Sequence, residues 1–298
     1  MKLSEIGEFG LIERFRKKIS TDGSVVAGPG DDCAVLKFNK NFYQLFTCDM
    51  LAEGVDFTRA TDPYLVGRKL VAVSASDIAA CAGIPRYLTA SMAIPKNIPL
   101  GYIERIFQGA LAAARKFSIN FAGGDISRAG KLVLDVSMLG LVEKRYLTLR
   151  SGAKPGEIIF VSGPLGGSIR GKHLNFTPRL KEARFLAKNF HPSAMIDISD
   201  GLAADLGHIT RESGVGAVIF QELLPVAKAA RSLSEALYMG EDFELLFTLN
   251  RRRAGKILKL KPSVYRPIGE IREKKYGLRL VEKNGREKIL LPRGFRHF

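Results

Sequence analysis

The chain has 298 residues, of which 46% are hydrophobic, and a formal net charge of +16. No apolar run approaches the roughly 20 residues that cross a bilayer, and the opening residues MKLSEIGEFGLIERF lack the apolar core of a signal peptide. These features exclude a membrane-spanning helix and indicate a cytoplasmic protein of about two globular domains at roughly 100–200 residues each.

Three cysteines, Cys33, Cys48 and Cys81, occur without a CxxC motif. An odd and sparse count favours a reducing compartment over a disulfide framework. Because free cysteines are commonly buried, we expect all three to be small core residues.

The positive charge is concentrated near the carboxyl end, where residues 251–298 hold 16 Lys and Arg against 4 Asp and Glu. These basic residues are spread through apolar segments and show no basic–aromatic stacking pattern, so nucleic-acid binding is disfavoured. Two interpretations stay open. The segment forms a solvated basic face, or its field attracts phosphorylated small molecules.

In the first half, SEIGEFGLIERFRKKI predicts a helix, and CAVLKF and FYQLFTCDM predict strands. Asp62 as N-cap and Pro63 at the first helical position open a long helix, which Gly83 and Pro85 end. YLTASMAI predicts a strand and Pro99 opens the next helix. INFAGGD and KLVLDVSMLGLVE predict two further strands.

The segment RSGAKPGE, residues 150–157, has the composition of a linker. We therefore predict domains over 1–145 and 146–298. The second half should contain a strand at IIFVSGP, helices near 178–190 and 201–213, a strand at VGAVIF, a helix near 226–238, a strand at FELLFTL, a helix near 251–260 and a hairpin at RLVEKNGREKIL. Alternating strands and helices indicate an α/β or α+β class with two α/β domains.

Acidic residues recur at predicted strand exits and loops, beside Gly, Ser or Thr. One such residue is ordinary, since Asp caps helices and starts turns. These acids lie in five segments, GPGDDCAVL, LFTCDM, VSASDIAA, NFAGGDISRAG and MIDISDG. If the five segments converge, their carboxylates repel one another and need a cation, and an all-oxygen ligand set suits Mg²⁺. Several acids then imply several ions, the arrangement that clamps a triphosphate during phosphoryl transfer. The acids are Asp31, Asp32, Asp49, Asp77, Asp125, Asp197 and Asp200.

Other phosphate motifs are weaker. Residues 166–173, GGSIRGKH, nearly match a P-loop, but His173 replaces the Ser or Thr that would hold Mg²⁺. A glycine-rich turn or a nucleotide-contacting loop is the better interpretation. Four scattered histidines support neither a zinc site nor a Ser-His-Asp triad.

The motifs GEFGLIERF, GDDCAVL, DMLAEGVDF, VSASDIAACAGIPRYLTASMAIP, GGDISR, RSGAKPGE, IDISDGLAADLGHI, GEDFELLFT and GFRHF occur in this order. Together they resemble the thiamine-monophosphate kinase family, within the superfamily of aminoimidazole ribonucleotide synthetase and selenophosphate synthetase. The similarity runs nearly end to end. It implies two α/β domains, a homodimer whose paired N-terminal sheets make a barrel-like core, and ATP in a cleft between the domains.

The resemblance also implies site residues. Metal ligands would be Asp32, Thr47, Cys48 through its carbonyl, Asp49, Asp77, Asp125, Asp197 and, on a further ion, Asp200. ATP would contact Gly124, Asp125, Arg150 and Ser199, and the thiamine part would contact Glu241. Two positions depart from the family. Asp56 replaces a substrate-associated histidine, and Leu291-Pro292 stands near a usual aromatic residue, for which Phe295 is the candidate substitute.

The activity that the resemblance implies is ATP-dependent phosphorylation of thiamine monophosphate to thiamine diphosphate. The acceptor phosphate has a second pKa of about 6 and needs no general base, so we expect direct in-line transfer without a catalytic base. The alternative is an ATP-dependent synthetase of the same superfamily acting on a carbonyl or amide oxygen.

Overall fold

The computed structural model describes residues 3–261 and 264–295, and the side chains of residues 5–261 and 264–295. Its first half carries a six-stranded sheet in the order β1-β2-β3-β6-β4-β5, in which β4 and β5 are parallel and the other neighbours antiparallel. The elements are α1 (Leu3–Arg16), β1 (Val25–Ala27), β2 (Ala34–Lys37), β3 (Phe42–Ala52), α2 (Pro63–Ala80), β4 (Ile84–Ile94), α3 (Leu100–Lys116), β5 (Asn120–Arg128) and β6 (Val133–Glu143).

The long helix α2 begins as the sequence predicts. The Asp62 side chain accepts a hydrogen bond from the Tyr64 N–H, and Pro63 is the first helical residue. The helix packs very closely on α3, because a Cβ added at Gly67 would lie 1.8 Å from the carbonyl oxygen of Ile106. Only glycine permits this approach, so α2 is held tightly against its neighbour.

The second half carries a seven-stranded sheet, in the order β13-β12-β9-β11-β7-β10-β8, among the described residues. The β9–β12 pair is parallel and the other neighbours are antiparallel. Its elements are β7 (Ile158–Val161), α4 (Lys172–Asn175), α5 (Leu180–Asn189), β8 (Ala194–Asp197), α6 (Leu202–Ser213), β9 (Gly216–Phe220), α7 (Leu233–Tyr238), β10 (Leu245–Leu249), α8 (Arg251–Ile257), β11 (Arg266–Arg272), β12 (Leu278–Val281) and β13 (Glu287–Ile289).

The mixed α/β class is confirmed, with local corrections. The helix expected over 226–238 was too long, because α7 begins only after Ser232, whose side chain caps it. Strand β11 was missed, since its sequence RPIGEIR mixes charged residues with a proline and a glycine. Within residues 3–261 and 264–295 the first sheet stays open, with β1 and β5 at its edges, so one copy of the chain forms no closed barrel.

Helix α2 contacts both halves of the molecule. It packs on β3 and β6 of the first sheet, and also contacts β8, α4 and α5 of the second half. Side chains on α2 can therefore meet side chains from either sheet. None of the helices in the described ranges has the length and apolarity to span a membrane.

Candidate active site

Ser74, Ser76 and Asp77 on α2 make side-chain hydrogen bonds to polar residues of other elements. Ser76 Oγ donates to Asp197 Oδ2 at 2.5 Å, and Ser74 Oγ donates to Asp49 Oδ2 at 2.7 Å. Asp77, the third, accepts a hydrogen bond at 2.5 Å from the hydroxyl of Thr47 on β3. The helix thus gathers carboxylates from β3 and from the end of β8.

Four of the predicted acids meet at this point. Ligand oxygens of Asp32, Asp77 and Asp197 all lie within 4.8 Å of one another. Asp49 adjoins them, since it interacts directly with Asp77. We call these four residues the acid cluster. The predicted convergence of segments far apart in the sequence is therefore observed for four of the acids.

Burial in the acid cluster penalises the charged form of each carboxylate. Desolvation raises the pKa of Asp197 to about 8, and the nearby Asp32 carboxylate adds to this. Desolvation and repulsion from Asp49, Asp197 and Asp32 raise the pKa of Asp77 well above its ordinary value. Such a group of carboxylates is unfavourable without a counter-ion.

The donor set of the acid cluster fits a hard cation. Asp32 Oδ2 is buried and receives no hydrogen bond from the described residues, while Oδ1 pairs with the Arg150 guanidinium at 2.8 Å. An uncompensated buried carboxylate oxygen is costly, and an all-oxygen cluster is the ligand type that Mg²⁺ takes in proteins. These residues therefore fit the metal that the sequence predicts.

Asp200 lies in a second group rather than in the acid cluster. Its ligand atoms are within 4.8 Å of those of Asp205 and His208. Burial, followed by the charges of Arg150 and Arg211, lowers the pKa of His208 to about 3, so the imidazole is neutral near pH 7. Asp200 therefore lies outside the acid cluster, and its service to a further ion stays a prediction.

A cavity of about 410 Å³ opens onto the acid cluster, and we call it the acid cavity. Ser199, Phe243 and Phe295 contribute to its wall. Among the described residues that line it, Lys69 is the one cation. Its carboxylates are Glu8, Asp49, Asp56, Asp77, Asp197, Asp200 and Glu241.

The structure places the two positions that depart from the family pattern in different surroundings. Asp56 lines the acid cavity, but its Oδ2 accepts a hydrogen bond from the Ala52 N–H at 2.7 Å, which stabilises the turn after β3. Neither Leu291 nor Pro292 is among the described residues that line the acid cavity, whereas Phe295 is. Phe295 therefore lies at the wall of the acid cavity, and its role as the aromatic substitute stays a prediction.

Asp125 and Gly124 are not brought to the acid cluster. Asp49 on β3 pairs with Val136 on β6, Val136 pairs with Ala90 on β4, and Ala90 pairs with Gly124 on β5. Gly124 is therefore three strands away from Asp49, about 14 Å at the usual spacing. Asp125 and Gly124 line another cavity of about 490 Å³, together with Met92, Phe107 and Phe121.

The expectation that all three cysteines are core residues was wrong for Cys48. Cys33 and Cys81 are buried, but Cys48 is exposed. The reason is strand alternation on β3: Thr47 and Asp49 face α2, so the Cys48 side chain points to the opposite face. Only the backbone carbonyl of Cys48 remains a candidate ligand.

Lys69, Ser74 and Ser76 were not among the residues predicted for the site. The signal was present, because these polar residues interrupt the otherwise apolar helix that also carries Asp77.

The lysine of the near-P-loop at residues 166–173 has a structural role. Lys172 Nζ lies 2.7 Å from the buried carboxylate of Glu244.

Two family models match the chain, one for each half. Residues 30–142 match the family described as AIR synthase related protein, N-terminal domain, and residues 134–280 match the corresponding C-terminal domain. The assignment covers most of the described chain and agrees with the order of the two sheets.

Individual proteins match over nearly the whole length. The thiamine-monophosphate kinase of Buchnera aphidicola subsp. Acyrthosiphon pisum is 33% identical over 98% of both chains. That of Aquifex aeolicus is 32% identical over 100% of both. The solved structure described as AaThiL complexed with AMPPCP and TMP superimposes with a TM-score of 0.88 at 31% identity, covering 100% of this chain and 99% of the other.

Proposed function

The chain belongs to the thiamine-monophosphate kinase family, and from that premise we propose that it phosphorylates thiamine monophosphate to thiamine diphosphate at the expense of ATP. The observation that carries the proposal is the acid cluster at one end of a cavity large enough for a small substrate. A similar solved protein is described as a complex with AMPPCP and TMP, so an ATP analogue and a substrate of this class fit the same fold.

The residues that would hold Mg²⁺ are those of the acid cluster, with the Thr47 hydroxyl and the Cys48 carbonyl beside them. When bound, the ions would offset the charge of the cluster and of the phosphates. Asp200 would serve a separate ion from its own group with Asp205 and His208.

The protein's own contribution to transfer is positioning and charge. Its acceptor is a phosphate monoester, already largely a dianion near neutral pH, so no side chain has to remove a proton. Ser199 and Arg150 are proposed to contact ATP. Arg150 pairs with Asp32, and that contact would orient the guanidinium toward the phosphates as the acid cluster binds its ions.

We further propose that the active unit is a homodimer, formed through the sheet face opposite α2. That face exposes large apolar side chains, with Phe46 at 43%, Tyr87 at 47% and Met50 at 61% relative exposure. One face of an antiparallel sheet is usually polar when it meets water, and contiguous exposed apolar surface marks an interface. Pairing two copies there would enclose the barrel-like core that one copy lacks.

The homodimer also gives Asp125 a role. Asp125 and Gly124 lie on β5, at an open sheet edge beside a largely apolar cavity of about 490 Å³. We propose that they serve ATP bound at the acid cluster of the other subunit. We keep 1–145 and 146–298 as the proposed domains, which the end of β6 at Glu143 and the start of β7 at Ile158 support. The cytoplasm, where ATP is available, is the proposed location.

Phosphorus NMR tests the activity directly. Purified protein is incubated with ATP, Mg²⁺ and thiamine monophosphate, and a control omits the acceptor. Thiamine diphosphate appearing together with ADP supports the proposal. ADP without thiamine diphosphate would instead support a synthetase-type reaction on a carbonyl or amide oxygen, and no turnover would contradict both.

A further inference from the structure

Asp31 precedes Asp32 in the sequence, and its carboxylate joins two distant segments of the chain. Its Oδ1 accepts a hydrogen bond from the Asp32 N–H at 3.1 Å, and its Oδ2 accepts one from the Arg150 N–H at 3.0 Å. Asp31 and Arg150 are 119 residues apart, one in the loop before β2 and the other at the start of the linker. The carboxylate therefore fixes the linker against the loop that carries Asp32.

Three hydrogen bonds close a ring through Asp31, Asp32 and Arg150, which we call the Asp31 ring. Besides the two N–H groups that donate to Asp31, the Arg150 guanidinium donates to Asp32 Oδ1 at 2.8 Å. Asp31 binds the main chain of Arg150, whereas Asp32 binds its side chain. The ring thus determines both where the Arg150 side chain starts and where its guanidinium lies.

The Asp31 ring leaves two polar atoms without a hydrogen bond among the described residues. Asp32 Oδ2 and Arg150 Nε are both buried there. A buried polar atom without a partner costs free energy, which a bound ligand can recover. Asp32 belongs to the acid cluster, so a cation bound by the cluster can take its free oxygen. The free N–H of Arg150 suits an anionic oxygen, such as one of a phosphate group.

A cavity of about 310 Å³ opens beside the Asp31 ring, and we call it the ring cavity. Asp31 and Arg150 line it, together with two further arginines, Arg16 and Arg211. Asp200 lines both the ring cavity and the acid cavity, so the two cavities adjoin. Arg150 therefore lies where it can meet the phosphates of a nucleotide whose metal ions are held by the acid cluster.

We propose that Asp31 is a positioning residue for Arg150. Asp31 holds the Arg150 main chain against the loop of Asp32 and thereby directs the guanidinium to Oδ1 of Asp32. Oδ2 of Asp32 is then left for a cation, and the Nε–H of Arg150 is left for a phosphate oxygen. The inference rests on the proposed binding of ATP through Arg150, and it adds a residue that acts without touching the nucleotide.

A role for Asp31 as one more metal ligand fits the structure less well. Each of its oxygens already accepts a main-chain N–H, whereas Asp32 has an oxygen without a partner among the described residues. Asp31 also lies beside the Cys81 thiol, whose Sγ is 4.0 Å from its Oδ1, and sulfur is not a ligand that Mg²⁺ prefers. These contacts favour a structural tie over coordination.

A double-mutant cycle tests whether Asp31 acts through Arg150. Titration calorimetry measures the dissociation constant of AMPPCP in the presence of Mg²⁺. Asp31→Ala should weaken binding at least tenfold in the wild-type background, because the guanidinium is no longer held in place. In the Arg150→Met background it should weaken binding at most threefold, because no guanidinium remains to be positioned. A purely electrostatic role predicts the opposite sign, since removing a carboxylate beside an anionic ligand should strengthen binding.

Glu157→Ala is the matched control for Asp31→Ala. Glu157 is also a buried carboxylate that ties the linker to a distant residue. It accepts a hydrogen bond from the Lys154 N–H at 3.1 Å and another from the Ser193 hydroxyl at 2.6 Å. It is not among the described residues that line the ring cavity or the acid cavity. This variant should bind AMPPCP within about twofold of the wild-type protein.

The outcomes separate the inference from the proposed function. If the wild-type protein binds AMPPCP but makes no thiamine diphosphate, the proposed function fails and the cycle still decides the inference. If Asp31→Ala has no effect, or weakens binding by the same factor with and without the Arg150 side chain, the inference is overturned. If the wild-type protein does not bind AMPPCP, both fail.

Circular dichroism checks the folding of Asp31→Ala. Should that variant be unfolded, Asp31→Asn decides in the same cycle, because asparagine has the same shape but keeps only one of the two acceptor oxygens. Its loss of AMPPCP binding should be at least threefold where Arg150 is present and absent in the Arg150→Met background. Equal losses in the two backgrounds would again overturn the inference.

Discussion

The hydroxyl of Ser76 lies 2.5 Å from Oδ2 of Asp197, and this hydrogen bond joins helix α2, which packs on the first sheet, to the end of strand β8 in the second. Both residues are buried, with relative exposures of 1% and 2%. The acid cluster therefore depends on contact between the two halves of the chain. Any displacement of β8 from α2 would separate Asp197 from Asp77.

Replacing Asp77 by asparagine should abolish most of the activity without unfolding the protein. Asp77 is central to the acid cluster, and the loss of one carboxylate there should cut kcat by roughly 100-fold or more. Because its pKa is raised by burial and repulsion, the uncharged amide should not lower the melting temperature of the metal-free protein at pH 8. Steady-state kinetics and calorimetry measure both quantities.

Asp62→Asn is the matched control for that variant. Asp62 caps the same helix through a hydrogen bond from the Tyr64 N–H, and asparagine caps about as well as aspartate. The control should keep wild-type kcat and melting temperature. Near-normal turnover of Asp77→Asn would remove Asp77 from the proposed ligands.

The stability of the metal-free protein should fall as pH rises. Asp197 has a folded-state pKa of about 8, above the ordinary value of about 3.9. Between these two pH values the folded state keeps a proton on Asp197 that the unfolded state has released. The stabilising contribution is therefore fully present below about pH 4 and is lost as pH rises through about 8. Divalent ions should remove this loss, because they replace the proton as the partner of the carboxylate.

Thermal unfolding at about pH 6 and about pH 8.5, with EDTA or with Mg²⁺, tests this expectation. The increase in melting temperature caused by Mg²⁺ should be larger at the higher pH, and the difference should shrink in Asp197→Asn. An equal increase at both pH values would show that the cluster is not protonated in the metal-free protein.

Much of the fold could be predicted because its signals are local. Asp62-Pro63 specifies the start of α2, and apolar alternation specifies β6, whose burial pattern alternates along its length. Strand β11 could not be found in this way. Its sequence contains Pro267 and Gly269, and the sheet neighbours that stabilise it come from residues far along the chain.

The candidate site was predictable as a set of acids but not as a geometry. The residue types and their flanking glycines identified Asp49 and Asp197, yet the hydrogen bonds of Ser74 and Ser76 depend on how α2 packs against two sheets. For Asp125 the sequence motif was recognised, but the motif alone gave the wrong location within one copy of the chain. Its motif predicts a ligand, but its strand places it beyond the reach of the acid cluster in one copy.

If Asp125 serves the other subunit, inactive variants should complement one another. Asp49→Asn and Asp125→Asn are each expected to lose activity as homodimers. Mixing them under conditions of subunit exchange should restore about a quarter of wild-type activity, since half of the dimers are mixed and each mixed dimer has one intact site. The assay is initial rate against mixing time.

Phe46→Glu supplies the structural control for complementation. It places a charge on the exposed apolar face of the first sheet, so analytical ultracentrifugation should show a monomer with little activity. Retention of a dimer by this variant, or no recovery of activity in the mixture, would contradict the proposed arrangement of Asp125 across the interface.

Phe295 should act on the acceptor and not on ATP. Its side chain lines the acid cavity, and its N–H donates to the Asp200 carbonyl at 2.9 Å, which fixes its position beside the site. An aromatic face against the cationic thiazolium ring is worth up to about 2 kcal/mol. Phe295→Ala should therefore raise KM for thiamine monophosphate by roughly tenfold, with KM for ATP unchanged, while Phe295→Tyr should keep both values.

The exposed Phe38, with 55% relative exposure, gives the control Phe38→Ala. Equal values of KM for thiamine monophosphate in Phe295→Ala and Phe38→Ala would exclude stacking on Phe295, and the thiazolium ring would then have to be held by the carboxylates of the acid cavity.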